Sequence, residues 1–202
     1  MLLIYFIILF ELVISVLSFA KSSFREALIG HPYSTDSGEW YRLFTAGCVQ
    51  VDAFHIFVNM YSLYNFAFIV MGTLCSRGRD MAGRLLFLLL YLGGILSSNL
   101  AYYYFYREDA DYYHLGASAG VVSVMVAAIV WDHSMEIRLW LVPKAIRGKL
   151  FLPLYLIGSF LLKINCEHAI SILAHGVGGG YGLAFGLCTR LLYFRNGEVR
   201  CL

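Results

Sequence analysis

The stretch that decides the fold is DYYHLGASAGVVSVMVAAIVWD, residues 111–132. Its middle holds Ser118 within the motif Gly-Ala-Ser-Ala-Gly, and the residues that follow stay largely apolar as far as Trp131. A serine in a Gly-x-Ser-x-Gly motif is typical of serine hydrolases, where it lies on a strand–turn–helix. The long apolar run predicts instead a helix in lipid, so Ser118 would begin a membrane span.

Composition indicates a membrane protein along the whole chain. Of its 202 residues, 60% are hydrophobic and only 14% are charged, with a mean hydropathy of +0.70, whereas soluble domains carry about 25% charged residues. The apolar residues fall in six blocks, called span one to span six: 1–20, 54–74, 84–105, 116–132, 150–164 and 169–193. Because backbone groups in lipid must be satisfied internally, the blocks should be helices. We predict an all-α bundle of six transmembrane helices, a single domain over residues 1–202.

The distribution of Lys and Arg predicts the orientation. With a cytoplasmic amino terminus, ten of the 15 Lys and Arg residues lie on the cytoplasmic side, the bias that orients membrane proteins. Both termini are then cytoplasmic, and residues 21–53 form an outer loop that we expect to hold short interfacial helices. Residues 1–20 could instead be a signal peptide, but they lack a charged amino-terminal region and their apolar run is too long. Without a soluble extension or transit peptide, the chain fits a bacterial inner membrane.

The remaining composition favours neither a cofactor nor a nucleic-acid partner. The five cysteines are Cys48, Cys75, Cys166, Cys188 and Cys201, and their odd number and wide spacing predict neither a disulfide framework nor a metal site. The net charge of +2 follows from the orientation bias. We therefore expect the lipid bilayer as the environment and no metal or cofactor, and no oligomeric state follows from the sequence.

Polar residues inside membrane spans are costly and mark function or packing. His55 and Asn59 are four residues apart, so they share one helix face near the outer end of span two. Ser118 begins span four, and His175 lies roughly two turns inside the outer end of span six. The predicted orientation therefore brings these four side chains to a similar depth near the outer surface.

Small residues indicate which spans pack together. Gly178, Gly182 and Gly186 form one face of span six, and such a Gly-x-x-x-Gly face lets helices approach closely in membranes. Span four, with its Gly and Ala residues around Ser118, is a suitable partner. Close packing would bring His175 within hydrogen-bond reach of Ser118, which needs a base to become a nucleophile. The serine, the histidines and the glycine face each have a structural explanation on their own. Their joint occurrence at one depth indicates a catalytic site.

These motifs together resemble the rhomboid family of intramembrane serine proteases. The resemblance covers nearly the whole chain through six spans and through the motifs HIFVN (residues 55–59), GASAG (116–120), AHGVG (174–178) and WYR (40–42). It implies that Ser118 is the nucleophile and His175 the general base, and that His55, Asn59 and the Ser118 backbone amide bind the oxyanion. It also implies a structural role for Trp40 and Arg42, and transmembrane protein substrates.

The sequence departs from the family pattern at three positions. Gln50 stands where relatives commonly carry a histidine, and Met71 where a glutamate is often found near the inner end of span two. Val122 stands where many relatives carry an aromatic residue that stacks on the catalytic imidazole. No Asp or Glu accompanies His175 within span six, so a Ser–His dyad is expected rather than a triad. Val122 would therefore leave His175 with less support.

Two other functions remain possible from the sequence. The first is a catalytically inactive rhomboid-like protein that binds transmembrane helices, although such proteins typically lack the serine or the histidine. The second is a six-span transporter or channel, which should show ionisable residues in mid-membrane or broken helices in matched halves. Glu11 is the one acidic residue in the middle of a span, and the halves do not repeat.

Overall fold

The computed structural model describes residues 1–75, 80–137, 144–165 and 172–193. Helices account for most of them: α1 (Leu2–Ala20), α2 (Ser22–Leu28), α3 (Pro32–Asp36), α4 (Arg42–Thr45), α5 (Ala53–Leu74), α6 (Asp80–Tyr106), α7 (Ser118–Trp131), α8 (Gly148–Asn165) and α9 (Ile172–Tyr193). A 3₁₀ turn at Ala46–Cys48 precedes α5. Cys166, Cys201 and the predicted start of span six at residues 169–171 lie outside the described residues.

Two short strands depart from the all-α prediction. β1 (Glu136–Ile137) pairs antiparallel with β2 (Ile146–Arg147) between α7 and α8. Two residues in a strand are too few to show the alternation of apolar and polar side chains that identifies strands in a sequence. The prediction of a mostly helical membrane protein is otherwise confirmed.

Three helices in the described part of the chain are long and apolar enough to cross a membrane. They are α1, α5 and α6, with mean hydropathies of 2.6, 1.4 and 1.7. α7 has 14 residues and is therefore about 21 Å long, shorter than the roughly 30 Å hydrocarbon core. Every residue of α7 except Val130 is buried, so this helix is surrounded by protein and needs no lipid-facing surface. The count of six spans stays a prediction.

α7 and α9 pack at backbone contact along the glycine face that the sequence indicated. A Cβ atom at Gly178 would lie 2.5 Å from the carbonyl oxygen of Ala119, and one at Gly182 would overlap the backbone of Ser123. The Ser123 hydroxyl donates to the carbonyl of Gly178 at 2.6 Å. Residue numbers rise together along this contact, so the two helices run parallel and their amino-terminal ends lie side by side.

The loop at residues 21–53 is held by the side chain of Arg42. Its Nη1 donates to the carbonyl oxygens of Glu26 and Ile29, each at 2.8 Å, and its Nε pairs with the carboxylate of Glu39. Guanidinium donors in a fixed fork suit such multiple contacts. The loop contains α2, α3 and α4, and Arg42 ties α4 to the end of α2 and to Glu39, which follows α3. These contacts agree with the structural role that the family resemblance implied.

Candidate active site

Ser118 is the first residue of α7, at the end of a tight turn. Gly116 in that turn has φ +122°, a left-handed conformation that glycine adopts without the steric cost of a side chain. The Gly116 amide donates to the carbonyl of Ala46 at 2.9 Å, which fixes the turn to the loop at residues 21–53. Ser118 is 8% exposed. Its backbone amide is among the first of a helix, which lack intrahelical acceptors and favour negative charge nearby.

His114 provides a second attachment between the loop at residues 21–53 and the residues that lead to Ser118. His114 and Gly30 exchange two backbone hydrogen bonds, of 2.8 and 2.9 Å, and a Cβ at Gly30 would overlap the imidazole of His114. The ring stacks on Tyr102 with centroids 4.3 Å apart. Burial lowers the pKa of His114 to about 3, so the ring is neutral at pH 7 and suits this apolar contact.

His175 lies on α9 and is almost completely buried, with 3% of its surface exposed. It precedes Gly178 by one turn, and Gly178 contacts Ala119, so the parallel helices place His175 beside the start of α7. Among the described residues, neither imidazole nitrogen of His175 has a hydrogen-bond partner. The hydrogen bond to Ser118 is therefore not formed in this structure. In unliganded enzymes such bonds are often long and tighten on substrate binding.

His55 and Asn59 lie near the amino-terminal end of α5. Asp52 caps this helix by accepting the amide of His55 at 2.7 Å. The imidazole Cε1 of His55 lies 3.8 Å from the position of a Cβ built on Gly116, so the ring lies against the turn that leads to Ser118. Asn59, 3% exposed, donates its Nδ2 to the Oε1 of Gln50 at 2.8 Å. The structure thus brings His55 to the serine turn and connects Asn59 to it through Gln50.

Comparison with known proteins identifies the family. The model of the Rhomboid domain matches residues 37–192. The chain belongs to the rhomboid family. A relative in Bacillus subtilis (strain 168), named "Putative rhomboid protease YdcA", is 27% identical over 168 residues, which cover 82% of this chain and 76% of the relative. With its apolar helices, this rhomboid is an integral membrane protein.

The rhomboid carries an aromatic contact to His175 that the sequence did not reveal. Tyr155 of α8 lies with its ring centroid 5.6 Å from that of His175, at an interplanar angle of 38°. Val122 is fully buried and its side chain lies 3.5 Å from the position of a Cβ built on Gly179, so it packs between α7 and α9. The aromatic contact with the imidazole thus comes from α8 rather than from position 122 on α7. Tyr155 precedes His175 by 20 residues, and no sequence motif connects the two.

Cys48, two residues before Gln50, is a poor alternative nucleophile. Cys48 lies in the 3₁₀ turn before α5. Burial, reinforced by the charge of Glu11, raises the pKa of the Cys48 thiol to about 12. Because the thiolate is the reactive form of cysteine, this side chain is inert at neutral pH. Ser118 therefore remains the candidate nucleophile.

Proposed function

We propose that this rhomboid is an intramembrane serine endopeptidase that hydrolyses peptide bonds in or near the transmembrane helices of other membrane proteins. Ser118 is the nucleophile and His175 the general base. The observation that carries the proposal is the backbone contact between α7 and α9, which places the buried His175 beside the first turn of the helix that Ser118 begins. The family membership supports it independently.

The chemistry follows from these positions. The Ser118 hydroxyl attacks the scissile carbonyl carbon while His175 accepts its proton, and the carbonyl oxygen becomes an oxyanion. The Ser118 amide, His55 and Asn59 donate hydrogen bonds to it, and each preorganised donor of this kind contributes roughly 10²–10³ in rate. His175 then protonates the leaving amine, and water resolves the acyl-enzyme with His175 again as the base.

The proposal extends to the membrane arrangement. Residues 1–202 form one domain of six spanning helices, with both termini in the cytoplasm of a bacterial inner membrane. The three long apolar helices support it, as does the central burial of α7, which requires surrounding helices. The distribution of Lys and Arg and the bacterial relative support the orientation and the membrane.

Cleavage of a single-span substrate by the reconstituted wild-type protein tests this function. A helix hides its carbonyls in its own hydrogen bonds, so a substrate with Gly or Pro in the outer half of its span should be cut faster than a matched all-Leu span. We expect at least about a tenfold difference, because each Gly or Pro weakens a helix by roughly 1–3 kcal/mol. Product formation is followed by gel mobility and mass spectrometry, with Ser118→Ala as the control.

The alternative function is that of a catalytically inactive rhomboid-like protein that binds transmembrane helices. The unformed hydrogen bond at His175 is the observation that favours it. If a panel of helix-weakened substrates stays intact while co-purifying with the wild-type protein, this alternative replaces the protease.

Replacing Tyr155 tests the support of His175. Tyr155→Leu removes the ring and is expected to lower kcat about three- to tenfold with little change in KM, since aromatic pairs contribute about 0.5–1.5 kcal/mol. Tyr155→Phe keeps the ring contact and should retain most of the activity. An equal loss in both variants, or a loss confined to KM, would contradict a role in positioning the imidazole.

A further inference from the structure

A buried chain of hydrogen bonds connects α1 to the candidate oxyanion residue Asn59. The four side chains are each at most 3% exposed: Glu11, Gln50, Asn59 and Tyr91. The Tyr91 hydroxyl donates to Glu11 Oε1 at 3.0 Å, and Gln50 Nε2 donates to Glu11 Oε2 at 3.3 Å. Gln50 Oε1 in turn accepts from Asn59 Nδ2 at 2.8 Å. The chain therefore runs from a carboxylate on α1 to the side-chain amide of Asn59.

The chemistry of the groups sets the direction of this chain. In its ionised form the Glu11 side chain offers only acceptors, so Gln50 then turns its NH₂ group towards Glu11 and its carbonyl oxygen towards Asn59, as the hydrogen bonds in the structure have it. Asn59 must then present its NH₂ group. One of the two N–H bonds of that group is taken by Gln50, and the second is left to donate elsewhere. Without Glu11, Gln50 could flip, and Asn59 would present a carbonyl oxygen that repels an oxyanion.

Gln50, the middle member of this chain of hydrogen bonds, lies next to the serine turn. Gln50 Oε1 is 3.9 Å from the position of a Cβ built on Gly116, and the imidazole of His55 borders the same position. Ser118 follows two residues later. The carboxamide that Glu11 orients is therefore packed against the turn that carries the nucleophile.

The burial of the ionisable side chain of Glu11 within a membrane span costs free energy of folding. An ionisable residue within a membrane span is rarely retained without a role, and the residues around it on α1 are apolar and largely face outwards, such as Phe6 and Leu9 at 66% and 61% exposure. The Rhomboid family match begins at residue 37, so α1 lies outside it. A purely structural link between α1, α5 and α6 could be made by apolar packing at lower cost.

We propose that Glu11 is a positioning residue of the active site: through Gln50 it orients the side-chain amide of Asn59 so that an N–H group faces the oxyanion. This inference rests on the proposed protease function for its catalytic consequence. The orientation of Asn59 itself does not depend on catalysis, and it can be measured separately.

A double-mutant cycle tests the catalytic consequence. Glu11→Gln replaces an acceptor-only group by one that can offer a donor to Gln50. We expect kcat to fall about tenfold with KM unchanged. This loss is smaller than the roughly 10²–10³-fold fall in kcat on removing a whole oxyanion donor, because Asn59 itself stays in place. In an Asn59→Ala background the same change should have no further effect, because Glu11 acts through Asn59. Ser18→Ala, a buried polar position on the same helix whose hydroxyl bonds Ser15, should leave kcat unchanged. Additive losses would overturn the proposal.

The orientation is measured by NMR of asparagine side-chain amides, with the Asn59 signal assigned by its loss in Asn59→Ala. In wild type we expect one strongly hydrogen-bonded proton that exchanges slowly with solvent, and in Glu11→Gln a shifted signal with faster exchange. An unchanged Asn59 signal would overturn the proposal even if the variant loses activity. If the wild-type protein cleaves nothing, the protease function fails, while this measurement still decides whether Glu11 orients Asn59.

Discussion

Ser118→Ala and His175→Ala are each expected to lower the cleavage rate at least about 10⁴-fold, and the double variant is expected to be no slower than either. The serine is a weak nucleophile without its base, and the base has no proton to remove without the serine, so the two residues act as a unit. Cleavage rates of a helix-weakened substrate in liposomes measure the loss. KM should change little, because neither side chain is assigned to binding.

A fluorophosphonate probe provides a second measurement of the dyad. The Ser118 oxygen displaces fluoride from phosphorus, and the resulting ester marks the nucleophile without a protein substrate. Labelling should be absent in Ser118→Ala and much slower in His175→Ala. His133→Ala, at an exposed position just after α7, is the matched control and should label like wild type. Full activity of His175→Ala would show that another group serves as the base.

The helices were predictable because lipid makes hydropathy a strong signal. The blocks at residues 1–20 and 54–74 match α1 and α5 within a residue at each end. α6 begins at Asp80 rather than at residue 84, because its polar first turn lacks an apolar signal. The contact between α7 and α9 was predictable as well. Gly178, Gly182 and Gly186 recur every fourth residue, so they lie on one face of α9, and a neighbouring helix can approach closely along that face.

The supports of the site could not be predicted in the same way. Tyr155 reaches His175 from another helix, and Glu11 reaches Asn59 only through a second residue. Such contacts depend on how each helix is rotated about its own axis. A helix that is apolar on all sides carries no amphipathic pattern, so its sequence does not reveal that rotation. Glu11 was recognised only as an acidic residue in mid-span, and Val122 was expected to leave His175 less supported. The structure places an aromatic ring there from α8.

Gly178→Ala is expected to lower kcat about 100-fold and to destabilise the fold by roughly 1–3 kcal/mol, the usual cost of overpacking. The added Cβ would lie 2.5 Å from the carbonyl oxygen and 2.9 Å from the Cα of Ala119. Both are backbone atoms, so no side-chain rotation relieves the overlap and the two helices must separate. Displacing reacting groups by about 1 Å can cost 10²-fold in rate. Cleavage rates and thermal unfolding in detergent measure the two effects.

Gly180→Ala is the matched control, two residues along the same helix. A Cβ built on Gly180 meets nothing within 4 Å, so the variant should retain its activity and gain up to about 1 kcal/mol of stability from the better helix propensity of alanine. The comparison separates two explanations of the glycine-rich sequence. An equal loss of activity in both variants would show that activity requires the flexibility of α9. A loss confined to Gly178→Ala would show that the close approach of α9 to Ala119 places His175 beside Ser118. We expect the second outcome, because the overlap is specific to the face that contacts α7.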